Sequence, residues 1–187
     1  LAGSPDPSVR AFAVVSLWRL SAGESGASRR LWELLEGDAA GEVEIALIDI
    51  GPAADPLLPS IKERAPHWSW GLARIQAIDM VWTRDQDLDF VRRELATAAT
   101  FLDEGLSSLA AAEVESLVEG FGAFAFGRSK MVGIPELNGT LQSIFQALLS
   151  HDSLRGEPPS QGTRFLAERA LQRLRESGGE RSSEGGQ

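Results

Sequence analysis

The chain has 187 residues, a net charge of −9 and no cysteine. The missing thiols exclude disulfides, cysteine nucleophiles and cysteine-ligated zinc. The acidic balance argues against nucleic acid as a partner, because nucleic-acid affinity depends on Lys and Arg displacing counterions. No run of about 18 apolar residues is present, so the sequence predicts no membrane span. An apolar fraction of 43% is typical of a folded protein with a sizeable core.

The first predicted helix begins at Asp6-Pro7. Asp6 can accept hydrogen bonds from the free N–H groups of a first helical turn, and Pro7 fits where its missing N–H costs nothing. Apolar and small residues then recur at spacings of three and four, which predicts a single inward-facing stripe. That stripe comprises Val9, Phe12, Ala13, Ser16, Leu17 and Leu20. A second helix over about residues 27–36 completes a helical hairpin.

Weaker copies of this pattern recur downstream. A second unit begins near residue 38 and contains another acidic cap with proline behind it, Asp55-Pro56. A third begins at His67 and returns through a helix that includes residues 88–98. Aligning the stripes places Ala13, Ala46 and Ala77 in corresponding positions, at intervals of 33 and 31 residues. A repeat of two helices and two turns has about this length, so the sequence predicts an all-α solenoid of stacked helical hairpins.

Beyond residue 100 the repetition weakens, although three more helices are predicted. One continues through Phe124, one begins at Pro135, and one covers 163–176. The last of these is expected to face inward with Phe165, Leu166, Ala170, Leu171 and Leu174. The predicted organisation is a solenoid over 1–150 (regular over 4–98, irregular over 100–150), a linker over 151–162, a terminal helix over 163–176 and a disordered tail over 177–187.

Two motifs carry a family resemblance. They are Asp6-Pro7-x-Val9-Arg10-x-x-Ala13-x-x-x-Leu17 and Ile50-Gly51-Pro52-Ala53-Ala54-Asp55-Pro56-Leu57-Leu58-Pro59. Over about residues 4–85 the chain resembles HEAT repeats, particularly the bacterial kind grouped with phycobilisome-lyase-like repeats. The resemblance implies an armadillo-like superhelix of about four to five antiparallel helix pairs, with a concave face that holds proteins.

The function implied by the resemblance is a non-enzymatic scaffold or adaptor that binds a protein or peptide. We expect it to be cytoplasmic, to need no cofactor, and to act as a monomer or as a fragment of a longer repeat chain. The alternative implied by the same family is an accessory, lyase-like or chaperone-like protein acting on a tetrapyrrole-carrying protein. That alternative predicts a deep apolar groove near residues 121–126.

Catalytic and ligand-binding patterns are sparse. There is no Gly-x-Ser-x-Gly elbow and no phosphate-binding glycine loop. The short cationic loop at 127–130 could hold an anion, although it lacks the Walker pattern. The two histidines, His67 and His151, could bind a metal together with Asp152, but two solvated loop histidines are the preferred interpretation. The family branch that holds two irons needs His-Glu pairs, and neither histidine is followed by Glu.

Candidate partner-binding residues come from aromatic and basic side chains. Tryptophan often anchors interfaces, and of the five tryptophans Trp68 is expected to be exposed, because Trp70 occupies the stripe position. Two arginine pairs lie on second helices of their units, which line the inner curve in HEAT proteins, and they could form a basic band there. A solvated helix surface is the preferred alternative. The candidate residues are Arg29, Arg30, Trp68, Arg92 and Arg93.

Overall fold

The computed structural model describes residues 3–20, 25–35, 42–43, 46, 51–127, 131–155 and 161–179. Across these ranges the chain forms eight α-helices joined by short turns and 3₁₀ segments, with no strand. The all-α prediction is therefore confirmed. The chain divides into two compact units, Leu1–Gln86 and Asp87–Gln187, and each is described by itself.

The first unit contains four described α-helices and two 3₁₀ segments. Their bounds are α1 Pro7–Leu20, α2 Ser25–Leu35, the 3₁₀ segment Gly51–Leu57, α3 Leu58–Arg64, the 3₁₀ segment Ala65–His67 and α4 Leu72–Asp85. Helix α1 packs on α2, and α3 packs on α4. The predicted cap of α1 is present, since Asp6 Oδ1 accepts hydrogen bonds from the backbone N–H groups of Ser8 (2.9 Å) and Val9 (3.2 Å).

Helix α1 buries a different face from the predicted one. Its core residues are Ala11, Val14, Val15 and Trp18. The predicted stripe is largely exposed, and Leu20 is 84% exposed. Both sets have the spacing of a helical face, so periodicity alone could not separate them. The buried set contains the large Trp18 together with the small Ala11, a combination that provides apolar area and allows a close helix neighbour.

The α3–α4 pair has a conventional apolar interior. Ile61 of α3 and Ile78 and Val81 of α4 are fully buried, and Ala77 is buried beside them, as predicted. Lys62 of α3 forms an ion pair with Asp85 of α4 at 2.6 Å, which links the two helices at the surface.

Trp70 does not occupy a helix stripe, because α4 begins only at Leu72. Arg74 holds the preceding turn instead. Its Nη1 donates to the Trp68 carbonyl oxygen at 2.9 Å, and its guanidinium lies 4.0 Å from the centre of the Trp70 ring. Both tryptophans are half-buried in this arrangement, so Trp68 is not singled out as the exposed one.

The second unit contains four long helices. Their bounds are α5 Leu88–Gly105, α6 Ala111–Phe126, α7 Pro135–Ser150 and α8 Gln161–Gly179. Helix α7 packs on both α5 and α8, and α6 packs on α8. Asp87 caps α5, its Oδ1 accepting a hydrogen bond from the Phe90 N–H at 2.9 Å.

Helices α5, α6 and α7 each bury one apolar face. In each helix the apolar residues at spacings of three and four are buried. They are Val91, Leu95 and Ala98 in α5, Val114, Leu117, Val118, Phe121 and Phe124 in α6, and Leu137, Leu141, Ile144, Phe145 and Leu148 in α7. The aromatic pair Phe121 and Phe124 meets edge to face, with ring centres 5.7 Å apart.

Helix α8 differs from the prediction in its bounds and in its buried face. It extends to Gly179, past the predicted start of the tail, and residues 180–187 lie outside the described ranges. Ala167 is fully buried, whereas Phe165, predicted to face inward, is 63% exposed. Helix α8 approaches α6 closely at Gly122, where a Cβ would lie only 3.0 Å from Leu166 Cδ2.

One buried polar side chain joins three segments of this unit. With its amide oriented to satisfy its neighbours, Asn138 donates to the carbonyl oxygens of Val132 (2.9 Å) and Ile134 (3.3 Å). Its oxygen accepts from Ser177 Oγ at 3.1 Å. The start of α7, the turn before it and the end of α8 are thereby tied together.

Candidate interaction surfaces

An open groove lies along α1. Its lining residues form what we call the α1 face: Ser8, Val9, Phe12, Ala13, Ser16, Leu17 and Leu20. The groove has a volume of about 720 Å³. Phe12 is 42% exposed and Leu17 is 47% exposed. The set is the same stripe that the sequence predicted to be buried, so the periodicity located an apolar surface correctly but assigned it to the wrong environment.

The five predicted partner-binding residues belong to different units. Arg29 and Arg30 lie exposed on α2, and Trp68 is half-buried in the turn before α4, all within the first unit. Arg92 and Arg93 lie exposed on α5 in the second unit. The basic band that would join the two pairs stays a prediction.

The arginines of α5 have local contacts that suit a solvated helix surface. Arg92 Nη1 lies 3.4 Å from Asp89 Oδ1, one turn earlier. The guanidinium of Arg93 lies 5.5 Å from the centre of the Phe90 ring, and its Nε is 3.8 Å from Glu94 Oε1. The exposed Arg92–Asp89 pair contributes little to stability, so Arg92 can exchange its contact for that of a partner at small cost. Arg93, by contrast, lies beside the buried carboxylate of Glu94.

Sequence reasoning did not anticipate a second surface, on α8. Phe126, at the end of α6, is 42% exposed and borders a groove of about 300 Å³. The rest of its described lining is polar and comes from α8: Arg169, Gln172, Arg173 and Glu176. The i, i+4 spacing of Phe165, Arg169 and Arg173 is the sequence signal for this surface. The prediction that Phe165 faces inward hides that signal.

The apolar groove expected near residues 121–126 does not form among the described residues. Phe121, Phe124 and Ala125 are buried in the core of the second unit, and only Phe126 reaches the surface. Phe121 and Phe124 therefore contribute to the interior of the second unit and not to a groove wall.

The two histidines considered as metal ligands belong to different units. His67 is exposed at the end of a 3₁₀ turn in the first unit. His151 belongs to the second unit, where its Nδ1 lies 2.8 Å from Ser153 Oγ and accepts from the Ser153 N–H at 3.2 Å. A small groove of about 240 Å³ adjoins His151, Asp152 and Ser107. Within the described ranges no three His, Asp or Glu side chains are close enough together to hold a metal ion.

Residues 128–130 of the predicted anion-binding loop lie outside the described ranges. For the helices that the structure does describe, none is long and apolar enough to cross a membrane.

Comparison of the chain with models of known protein families, with curated proteins and with solved structures finds no match. The geometry of the two surfaces therefore carries the functional argument.

Proposed function

We propose that this chain is a non-enzymatic protein-binding module, a scaffold or adaptor built as a HEAT-like α-solenoid. The observation that carries the proposal is the α1 face, on which four large apolar side chains remain exposed: Val9, Phe12, Leu17 and Leu20. Contiguous exposed apolar surface is costly in water and marks interaction sites in soluble proteins.

The shape of the α1 face suits a helix from a partner protein. From Val9 to Leu20 the stripe extends about 16 Å, at 1.5 Å per residue. Small side chains, Ala13 and Ser16, lie in the middle, with large ones on either side. A small centre lets two helix axes approach closely while the large residues interdigitate.

The charges at the ends of α1 favour one orientation of that partner. Asp6 is exposed at the N-terminal end of α1, and Arg19 is exposed at the C-terminal end. A partner helix running parallel to α1 would place its own N-terminus beside Asp6 and its C-terminus beside Arg19. Anions are favoured at helix N-termini and cations at C-termini, so both ends would pair favourably.

The packing of the second unit supports the solenoid part of the proposal. Two stacked hairpins would place first helix on first helix, second on second, and first on second within a hairpin. The contacts of α5 with α7, α6 with α8 and α7 with α8 follow this scheme, whereas α5 and α6 make few contacts with each other. Arg29, Arg30 and Trp68 in the first unit, and Arg92 and Arg93 in the second, remain candidate contacts for a bound protein.

The experiment is site-specific photocrosslinking in the source organism. Benzoylphenylalanine replaces Leu17 on the α1 face, and a control chain carries it at Glu119, which is exposed on α6. We expect a crosslink from position 17, but not from position 119, to a partner segment with an apolar stripe at helical spacing. Adding Ala13→Leu should remove the crosslink, because the larger side chain fills the middle of the groove.

Three results would overturn the proposal. The first is the absence of a crosslink from position 17, or crosslinks to the same proteins as from position 119. The second is a crosslinked peptide from a second copy of this chain, which would make the α1 face a self-association surface. The third is a specific crosslink that Ala13→Leu leaves unchanged, which would place the contact elsewhere.

A further inference from the structure

A second, chemically different surface lies on α8. We call it the α8 basic face and define it by Phe165, Arg169, Gln172, Arg173 and Glu176, together with Phe126 of α6 beside Arg173. The α8 residues follow one another at spacings of three and four, so they share one side of the helix. All of them are exposed, and except for Phe165 they line the groove of about 300 Å³ with Phe126.

The two arginines of this face outnumber its one carboxylate. Arg169 Nη1 donates to the neutral side-chain oxygen of Gln172 at 3.3 Å. Gln172 in turn donates from Nε2 to Glu176 Oε1 at 2.7 Å. In the described part of the chain neither Arg169 nor Arg173 forms an ion pair with a carboxylate, unlike Arg164, whose Nε lies 2.8 Å from Glu168 Oε1.

The side chain of Arg173 is positioned by a contact with the Phe126 ring. Its guanidinium lies 5.6 Å from the centre of the Phe126 ring. An aromatic contact of this kind restrains the guanidinium while leaving hydrogen-bond donors available to a ligand. Phe126 and Phe165, at 42% and 63% exposed, add apolar surface on the same side. The face thus offers forked donors for carboxylates beside aromatic rings.

We propose that the α8 basic face binds an acidic peptide segment. Carboxylates of the peptide would pair with Arg169 and Arg173, and an apolar side chain between them would lie against Phe126 and Phe165. Charge complementarity selects this occupant, because the two arginines outnumber the single carboxylate of the face, form no ion pair within the described residues, and can bind carboxylates in a bidentate manner. The net charge of −9 does not prevent this, since exposed charges are screened beyond about 8 Å at physiological ionic strength.

The experiment selects peptides from a random twelve-residue phage library on the intact chain and then titrates the best one. We expect enrichment of sequences with several Asp or Glu residues and at least one aromatic or aliphatic residue. The most enriched peptide is synthesised with a fluorescein label. Arg169→Gln and Arg173→Gln should each lower the affinity for this peptide about tenfold or more, as loss of a charge-assisted hydrogen bond does. Binding should also weaken as salt rises from 50 to 300 mM.

The matched control is Arg175→Gln. Arg175 is exposed on the same helix and its replacement makes the same charge change, but it does not line the groove. Its effect on affinity should be less than about twofold. Circular dichroism checks that all three variants keep the helical content of the parent chain.

The proposal fails if no acidic sequence is enriched, or if Arg175→Gln weakens binding as much as Arg173→Gln does. It also fails if a single-stranded oligonucleotide binds more tightly than the peptide and loses affinity with Arg169→Gln, because the face would then be a nucleic-acid site. The α1 variant Ala13→Leu should not affect peptide binding, so this test is independent of the function proposed for the α1 face.

Discussion

Replacing Ala11 and Ala13 in turn by leucine tests which face of α1 is inside. Ala11 is fully buried, whereas Ala13 is half-buried and lines the open groove of the α1 face. The two changes add the same three carbon atoms to the same helix, and Leu is nearly as good a helix former as Ala. Any difference between the variants therefore reports the surroundings of the two positions.

The structure sets the expected magnitudes. Ala11→Leu forces extra atoms into a filled interior, which lowers the free energy of unfolding by about 1–3 kcal/mol. For a unit of this size that corresponds to a fall in Tm of about 4–20 °C. Ala13→Leu directs the added atoms into the groove, so the free energy of unfolding should change by no more than about 0.5 kcal/mol.

Urea unfolding followed by tryptophan fluorescence is the appropriate assay. All five tryptophans lie between residues 18 and 82, so the signal comes from the first unit alone. The inward stripe predicted from the sequence requires the opposite order, with Ala13→Leu the more damaging change. Equal losses, or a larger loss for Ala13→Leu, would refute the orientation of α1 and with it the function proposed for its exposed face.

Two further predictions concern the second unit and the start of α1. Gly122→Val should lower the free energy of unfolding by about 1–3 kcal/mol because α8 approaches α6 closely at this point. Gly139→Ala, at an exposed helical site with no atom near a new Cβ, should raise the free energy of unfolding by about 0.5–1 kcal/mol. Unfolding followed by circular dichroism measures both changes. A change of the same sign in the two variants would contradict the close approach of α8 to α6. Asp6→Ala should cost about 1 kcal/mol by removing the N-cap. Asp6→Asn keeps an acceptor and should cost only a few tenths in the same fluorescence melt, whereas equal losses would show that the cap does not act through its hydrogen bonds.

Helices α5 and α7 could be predicted well because each has one apolar stripe and a polar opposite side. For such a helix only one orientation removes apolar surface from water. Helix α1 is apolar on two sides, with Trp18 on one and Phe12 on the other, so the sequence leaves two orientations open. The choice depends on α2, whose Leu31 is fully buried, and a pattern within one helix does not contain that information.

The candidate surfaces were less predictable than the helices. The pairing of Arg173 with Phe126 joins residues from two helices, so it requires knowledge of how α6 and α8 pack. The prediction that Phe165 faces inward is wrong for a related reason. Large apolar residues are usually expected in the core, but the side of α8 that packs inward is set by its neighbouring helices, and it buries Ala167, Ala170, Leu171 and Leu174.

The central position of α7 has a consequence for how the second unit opens. Helices α5 and α8 both cover it, and its five core residues from Leu137 to Leu148 are completely shielded from water. Opening of α7 therefore has to disrupt its contacts with both neighbours, whereas the ends of α8 can fray alone. The backbone amides of α7 should accordingly be the last in this unit to exchange their hydrogens for deuterium, at a rate set by cooperative unfolding of the whole unit.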